Sequence, residues 1–248
     1  TLILPLRHPT ITAKQFSTMD VLSGGRMILT VGVGGDYPRE FAGCEIPINE
    51  RGRRATETIE IMRKYWKGER FSYEGKIFHL EDVDMLPKPV QPNGIPIWVA
   101  GRQEGPMKRA ARLGDGWHPY MYTPDRCRDS FFKVKKFAEE AGRDLPSNYT
   151  FACFIYTALY DDITDARERA VAELKYRYGQ EFDHLVDKYC GYGPPTRIAE
   201  YLQKYIEAGA NYLILAPIMP PEDRRSHLER YAEQVLPALE GMEPGKVL

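Results

Sequence analysis

The sequence predicts an α/β protein built on a parallel β-sheet. Six short apolar stretches, each typical of a buried strand, alternate with longer stretches whose apolar residues recur at helical spacing. Such alternation requires crossover connections, which place the strands parallel to one another. The 248 residues are enough for one (β/α)8 barrel, although eight strands would require two more βα units than the six found here. An open six-stranded sheet is the competing topology.

The first two strands flank a helix. Residues 2–4 form the first strand, and the helix begins at Pro9, where a missing N–H costs nothing. Gly24 and Gly25 end this helix, because glycine readily takes the left-handed conformation found at helix C-termini. The buried face of the helix is predicted from four apolar residues at helical spacing, namely Ile11, Phe16, Met19 and Leu22.

The second strand ends in a cluster of glycines. Residues 27–33 are almost wholly apolar, as expected of a strand buried on both faces, and Gly32, Gly34 and Gly35 lie at its C-terminal end. Ligands of α/β folds bind beyond the carboxyl ends of the strands, where glycines let backbone amides approach a ring or a phosphate. A tight turn without a ligand is the alternative. A dinucleotide-binding Gly-x-Gly-x-x-Gly fingerprint is incomplete, and Pro38 should break any helix that starts there.

A long helix and an excursion follow. The helix spans about residues 50–66 and has one apolar face, formed by Ala55, Ile59, Met62 and Trp66. The arginines at its start are interpreted as a solvated face, with the alternative that one of them reaches into a cleft; they are Arg51, Arg53 and Arg54. Residues 67–95 interrupt the alternation of strands and helices and are called the excursion; they contain a hairpin turn at Glu74 and Gly75.

The second half of the chain repeats the strand–helix rhythm. The remaining strands are predicted at residues 96–100, 114–117, 149–160 and 211–216. Helices are expected up to Leu113, from Thr123 or Asp125 to near Gly142, after a cap at Thr164, up to Gly209, and along the stripe Leu228, Tyr231, Val235 and Leu239. Residues 191–195 are expected to form a hinge-like loop, because glycine and proline dominate them.

The composition excludes several classes of protein. The formal net charge of −1 disfavours nucleic acid or a membrane surface as a partner. We expect a cytoplasmic protein, because no apolar run approaches the roughly 18 residues of a membrane helix and no signal peptide is present. No metal site or disulfide framework is predicted, because the four cysteines lie far apart in the sequence without ligand spacing; they are Cys44, Cys127, Cys153 and Cys190.

Three segments in the first half of the chain match a known family in order and spacing. The first segment is residues 5–35 and contains Met19-Asp20-Val21-Leu22-Ser23-Gly24-Gly25-Arg26. The second is residues 51–57, which include Glu57, and it is continued by Pro87-Lys88-Pro89-Val90-Gln91. The third is residues 96–117 and ends in Gly114-Asp115-Gly116-Trp117. Together they resemble the bacterial luciferase-like monooxygenase family, which includes FMN-dependent monooxygenases and coenzyme F420-dependent oxidoreductases. The second half agrees only in its rhythm of helices and strands.

The resemblance implies a (β/α)8 barrel of the luciferase-like type, with FMN or F420 lying across its C-terminal mouth. The family's first two βα units have no counterpart in this chain. Residues 1–248 would form one domain, with the excursion at about residues 67–95. The resemblance also implies a homodimer and, for FMN, a flavin reductase as the source of the reduced cofactor.

The resemblance further implies which residues bind the cofactor. Residues that follow the second strand would lie beside the ring, and residues that follow the strand at 96–100 would hold the phosphate. A helix N-terminus offers free N–H groups to an anion, and an arginine adds a planar fork of donors, although Arg102 as a plain surface charge is the alternative. The expected cofactor-binding residues are Gly34, Gly35, Asp36, Gly101, Arg102 and Gly105.

The catalytic residues are not predicted. The family's frequent catalytic histidine lies in a region that has no counterpart here, and His8 is assigned a structural role. Trp117, His118 and Tyr120 follow the strand at 114–117 and are candidates to line a substrate pocket, with core packing as the alternative for Trp117.

The predicted function is oxidation or reduction of a small organic substrate by a bound organic cofactor. Reduced FMN would act with O₂ in a monooxygenase, whereas F420 would move a hydride without oxygen. A flavin-binding homologue without catalytic turnover is the alternative. A phosphate-binding lyase or isomerase barrel is disfavoured, because Pro217, Pro220 and Pro221 follow the last strand where such barrels commonly bind phosphate.

Overall fold

The computed structural model describes residues 1–246, which form two compact units. Unit 1 comprises Thr1–Trp117 and Val134–Tyr149, and unit 2 comprises His118–Lys133 and the chain from Thr150 onward. The single domain predicted over residues 1–248 stays a prediction, and residues 247 and 248 lie outside the described part of the chain.

Strands and helices alternate along the described chain, as predicted. The strands are β1 (Leu2–Ile3), β2 (Leu29–Gly32), β3 (Phe71–Glu74), β4 (His79–Val83), β5 (Ile97–Ala100), β6 (Gly116–His118), β7 (Thr150–Leu159), β8 (Cys190–Gly193) and β9 (Tyr212–Pro217). The helices are α1 (Pro9–Ser23), α2 (Pro38–Gly43), α3 (Arg51–Lys67), α4 (Glu104–Leu113), α5 (Pro124–Glu140), α6 (Ile163–Tyr178), α7 (Asp183–Tyr189), α8 (Pro195–Glu207) and α9 (Arg224–Arg230). None of the helices within residues 1–246 combines the length and the apolar character needed to cross a membrane.

Unit 1 contains a parallel sheet in the strand order β1-β2-β5-β6. Leu2 of β1 is paired with Val31 of β2, and Leu29 of β2 is paired with Ile97 of β5. The main strands predicted in this part of the sequence are therefore present. Three of them are shorter than predicted, and β6 begins two residues later and ends one residue later than the predicted strand at 114–117. The helix predicted at about residues 50–66 is α3, and its predicted apolar face, Ala55, Ile59, Met62 and Trp66, is buried.

The predicted buried face of α1 is wrong. Ile11 is 58% exposed and Leu22 is 81% exposed, whereas the buried side chains are small or polar. The buried face packs closely on α3, where the Trp66 indole Nε1 donates to the Ala13 carbonyl oxygen at 3.2 Å. Small side chains permit this close approach, so apolar periodicity alone identified the wrong face.

A buried carboxylate holds the hairpin of the excursion. The hairpin predicted at residues 74 and 75 is formed by β3 and β4, which pair antiparallel. Glu57 of α3 is 6% exposed and accepts three backbone N–H groups from the hairpin turn, those of Lys76 at 3.0 Å, Ile77 at 3.1 Å and Phe78 at 3.1 Å. A Cβ at Gly75 would clash with this carboxylate. Glu57 therefore fixes the excursion to the helix layer of unit 1.

A second buried carboxylate holds the end of the excursion. Asp20 of α1 is fully buried and accepts the backbone N–H groups of Val90 at 2.9 Å and Gln91 at 3.2 Å. The Gln91 amide Nε2 also donates to Asp20 Oδ1 at 2.7 Å and to the Met27 carbonyl oxygen at 2.9 Å. The returning chain is thereby attached beside the start of β2.

Unit 2 contains a parallel sheet in which β7 is central. Its neighbours are β8, with Tyr156 paired with Cys190, and β9, with Phe154 paired with Ile214. One face of β7 packs on helices: Phe151 contacts Phe131 of α5 with ring centroids 4.7 Å apart, and the free thiol of Cys153 lies 3.1 Å from that of Cys127. Because side chains alternate along a strand, the even-numbered residues of β7 face the other way.

Several local predictions are corrected by the structure. The hinge-like loop predicted at 191–195 includes β8, whose glycines are buried; a Cβ on Gly191 would lie 2.6 Å from Tyr201 Cδ1. Pro38 starts α2 at its first position, where proline is tolerated, instead of preventing a helix. The cap of α6 is Asp162, whose side chain accepts the Asp165 N–H at 2.8 Å, and not Thr164.

Candidate functional site

The two glycine-containing strand ends of unit 1 lie side by side. β2 and β5 are parallel neighbours, and the pairing of Val31 with Val99 brings Gly32 next to Ala100. A Cβ on Gly32 would lie 4.0 Å from the Cβ of Ala100. The loops that begin at Gly34 and at Gly101 therefore leave the same edge of the sheet from adjacent strands, as a shared ligand site requires.

The loop after β2 needs glycine for packing as well as for access. Gly34 and Gly35 have φ values of 62° and 120°, which L side chains rarely adopt. A Cβ on Gly34 would lie 2.8 Å from the Ile3 side chain, and a Cβ on Gly35 would lie 3.2 Å from Arg51 Nε. Asp36 is exposed immediately after them.

Arg51 is a candidate covered only by the alternative interpretation, in which one of the three arginines at the start of α3 reaches into a cleft. It is the first residue of α3, is half-buried, and its Nη1 donates to the Ile48 carbonyl oxygen at 2.9 Å. Its guanidinium lies against Gly35, so the interpretation of the three arginines as a solvated face is wrong at this position. It is also wrong for Arg54, which lies over the Phe78 ring at 5.1 Å, whereas Arg53 is exposed. No local pattern of the sequence marks this contact, because α2 lies between Gly35 and the start of α3.

The loop after β5 leads into an open helix start. Gly101 has a φ of 146°, and a Cβ there would lie 2.6 Å from Pro106, so packing alone explains this glycine. α4 begins at Glu104, and the preceding Gln103 makes no capping hydrogen bond with its side chain. A Cβ on Gly105 would meet no atom within 4 Å. Arg102 is exposed between the strand and the helix.

These features fit a phosphorylated ring cofactor. The first turn of a helix carries backbone N–H groups without partners inside the helix, and its dipole favours an anion. The space above Gly105 leaves that turn accessible, while glycines at the end of β2 let the backbone approach a planar group. The structure thus brings Gly34, Gly35, Asp36, Gly101, Arg102 and Gly105 to one edge of the unit 1 sheet; that they bind a cofactor stays a prediction.

His118 is a buried histidine at the end of β6. It is 5% exposed and begins unit 2, and neither ring nitrogen has a hydrogen-bond partner among the described residues. Burial lowers the pKa of its imidazole to about 4, so the ring is neutral at pH 7. The other two predicted pocket residues have different surroundings. Trp117 is fully buried, and Tyr120 is half-buried and forms an isolated parallel β-bridge with Phe154 of β7.

Comparison with known proteins identifies the family. The model for luciferase-like monooxygenases matches residues 1–212. This chain belongs to the luciferase-like monooxygenase family. The resemblance seen in the sequence motifs is thereby confirmed.

Relatives of the luciferase-like chain include proteins named for coenzyme F420. An uncharacterised protein of Mycobacterium tuberculosis is 37% identical over 143 residues, which cover 58% of this chain and 48% of the relative. The chain thus spans about half the length of that relative. An F420-dependent glucose-6-phosphate dehydrogenase of Kineococcus radiotolerans is 26% identical over 267 residues, covering 94% of this chain and 74% of the relative.

Solved structures share the fold of the luciferase-like chain. A monooxygenase from Streptomyces bottropensis superposes with a TM-score of 0.80 at 23% identity, covering 95% of this chain and 76% of the other. An F420-dependent secondary alcohol dehydrogenase, solved with an F420-acetone adduct, also gives a TM-score of 0.80, at 22% identity, covering 94% of this chain and 76% of the other. The α/β class with a parallel sheet, predicted from the sequence, is confirmed, and these solved structures share its fold.

The family motifs contain residues whose function in this chain is structural. Glu57 and Asp20 hold the excursion, as described above. In the Gly-Asp-Gly-Trp motif, Asp115 Oδ2 accepts the Ile97 N–H at 2.8 Å and pairs with the guanidinium of Arg63. These carboxylates are engaged in hydrogen bonds and an ion pair within the fold, and we assign none of them a role in the reaction.

Proposed function

We propose that this protein is an oxidoreductase that binds coenzyme F420 or FMN beyond β2 and β5 and acts on a small organic substrate. The observation that carries the proposal is the meeting of two glycine-containing strand ends with the accessible first turn of α4. Relatives named as F420-dependent that cover 94% of the chain favour F420 of the two cofactors. FMN is the alternative.

Each candidate residue has a role that follows from its position. Backbone at Gly34 and Gly35 would lie along the ring, with Asp36 at its edge. The first turn of α4 at Gly105 would hold the phosphate, together with the Arg102 guanidinium. Bound F420 or FMN supplies hydride transfer or, with O₂ and reduced FMN, oxygenation, and the protein supplies binding, orientation and exclusion of water.

Arg51 would contribute a second positive charge. A Cβ on Gly35 would lie 3.2 Å from Arg51 Nε, so the guanidinium lies beside the loop that follows β2. Arg102 belongs to the loop after β5, whereas Arg51 begins α3. The proposal therefore includes Arg51, which was not among the residues predicted from the motifs.

The proposal includes the partners and the location expected from the resemblance. These are a homodimer in the cytoplasm and, if FMN is the cofactor, a flavin reductase that supplies its reduced form. Size-exclusion chromatography with light scattering tests the dimer.

Reversing the charge of Arg102 is expected to weaken cofactor binding at least about tenfold, because a charge-assisted hydrogen bond to phosphate is replaced by repulsion. The measurement is fluorescence titration of purified protein with F420 and, separately, with FMN. The matched control is Arg112→Glu, which makes the same charge change at the exposed C-terminal end of α4. Equal affinities for wild type, Arg102→Glu and Arg112→Glu would remove the phosphate assignment.

Gly105→Ala is expected to raise the stability of the protein and to lower its affinity for the cofactor. Alanine is favoured over glycine inside a helix, and its Cβ meets open space here, so the free energy of unfolding should rise by about 0.5–1 kcal/mol. The same methyl group would occupy the space assigned to the phosphate, so affinity for F420 or FMN should fall. Thermal unfolding and titration of one sample measure both effects; a stabilised variant with undiminished affinity would place the phosphate elsewhere.

A further inference from the structure

Arg109 of α4 is hydrogen-bonded to the start of α3, the neighbouring helix of unit 1. Its Nη2 donates to the Gly52 carbonyl oxygen at 2.7 Å, and its Nε donates to the Thr56 hydroxyl at 3.0 Å. The Thr56 hydroxyl in turn donates to the same Gly52 carbonyl oxygen at 3.0 Å. The three groups therefore form a closed set of hydrogen bonds that ties the first turn of α3 to α4.

Gly52 leaves room for the Arg109 guanidinium. A Cβ on Gly52 would lie 3.4 Å from Arg109 Nη2, so a larger side chain at this position would crowd the guanidinium. Glycine costs stability inside a helix compared with alanine. The approach of Arg109 is a physical reason for a glycine in the first turn of α3.

The positive charge of Arg109 is not balanced by an acidic side chain. Its hydrogen-bond partners within residues 1–246 are uncharged, and its Nη1 is buried there without a partner. Burial lowers the pKa of the guanidinium to about 10, so Arg109 stays charged at pH 7. Because a buried charge without a counter-ion is costly, packing of α3 on α4 does not by itself explain an arginine here.

Arg51 is the side chain that this arrangement places. It immediately precedes Gly52, so the same first turn that Arg109 binds also carries the Arg51 side chain. A Cβ on Gly35 would lie 3.2 Å from Arg51 Nε, and Arg51 Nη1 donates to the Ile48 carbonyl oxygen at 2.9 Å. That hydrogen bond uses one of the five N–H groups of the guanidinium, which leaves donors for an anion at the loop after β2.

We propose that Arg109 is a positioning residue of the cofactor site, which binds the first turn of α3 and thereby fixes the Arg51 guanidinium beside Gly35, where Arg51 binds an anionic group of the cofactor. This inference rests on the proposed function, in which Arg51 contributes a positive charge. Arg109 acts through Arg51 and has no contact of its own with the cofactor. Two segments of the family resemblance, residues 51–57 and residues 96–117, thus meet through Arg109.

A double-mutant cycle tests whether Arg109 acts through Arg51. F420 and, separately, FMN are titrated by fluorescence into Arg51→Met, Arg109→Met and the double variant. Each single substitution is expected to weaken binding about tenfold, because either change removes the charge-assisted hydrogen bond that Arg51 makes. The double variant should bind within about twofold of the single variants. Independent losses that multiply to about a hundredfold, or an unchanged affinity of Arg109→Met, would overturn the inference.

Arg143 provides the matched control. Its guanidinium also donates to backbone carbonyl oxygens, those of Ala111 and Gly114, both at 2.8 Å, but at the C-terminal end of α4. Arg143→Met should leave the affinity for F420 and FMN within about twofold of wild type. Equal losses in Arg143→Met and Arg109→Met would show that any loosening of α4 weakens binding, which contradicts a specific role for Arg109.

A measurement without cofactor separates this inference from the proposed function. The Nε–Hε signal of Arg51 is followed by ¹⁵N NMR in the free protein. Arg109→Met should shift this signal, and so should Thr56→Val, which removes the bridging hydroxyl without changing any charge; Arg143→Met should leave it unchanged. An unchanged Arg51 signal in either of the first two variants, when folded, would overturn the inference. Absence of F420 and FMN binding by wild type would instead defeat the proposed function, while the NMR result still decides whether Arg109 fixes Arg51.

Discussion

Glu57→Gln is expected to lower the free energy of unfolding by about 3 kcal/mol. One carboxylate oxygen of Glu57 accepts the Lys76 N–H, and the other accepts the N–H groups of Ile77 and Phe78. Glutamine has only one acceptor oxygen. Whichever way its amide is turned, its NH₂ group faces at least one backbone donor, so at least one buried N–H loses its partner. Urea unfolding at pH 7 measures the effect.

Glu60→Gln provides the control for this prediction. Glu60 lies in the same helix and accepts a single hydrogen bond, from the Tyr73 hydroxyl at 2.7 Å. An amide oxygen can accept that bond equally well, so the loss should stay below about 1 kcal/mol. If the two variants prove equally stable, Glu57 does not hold the hairpin as described.

His118 is expected to make the protein less stable in mild acid. Its folded-state pKa is about 4, against an ordinary value of 6.5, because burial disfavours the charged ring. Between pH 6.5 and 4 the imidazole of His118 binds a proton in the unfolded chain but stays neutral in the folded protein. The stability associated with the neutral ring is therefore complete above pH 6.5 and is lost as the pH falls toward 4, by about 3 kcal/mol in all.

His118→Leu should remove this part of the pH dependence. Denaturant unfolding at a series of pH values from 7 to 4 gives the two stability curves, whose difference isolates the histidine from the carboxylates that also titrate. The curves should diverge in favour of the variant as the pH falls. His184→Gln, at an exposed position of α7, should give a curve parallel to that of wild type. Parallel curves for wild type and His118→Leu would show that folding does not lower the pKa of His118.

Local patterns in the sequence predicted the structure most reliably. Strand ends rich in glycine and the apolar face of α3 follow from short-range patterns, and both are found in the structure. The prediction for α1 was wrong because its packing surface is made of small and polar side chains, which carry no apolar signal. β8 was missed for a related reason, since Gly191 is required by the close approach of Tyr201 and carries no apolar signal.

The sequence by itself determined the family, the alternation of strands with helices and the two glycine-containing strand ends, because these depend on residues close together in the chain. Only the tertiary structure decided that Glu57 and Asp20 hold the excursion, that Arg51 lies beside Gly35, and that His118 is buried without a hydrogen-bond partner in the described part of the chain. Each of those facts depends on which distant segments meet and on how much water they exclude. No pattern within one segment of a single sequence contains that information.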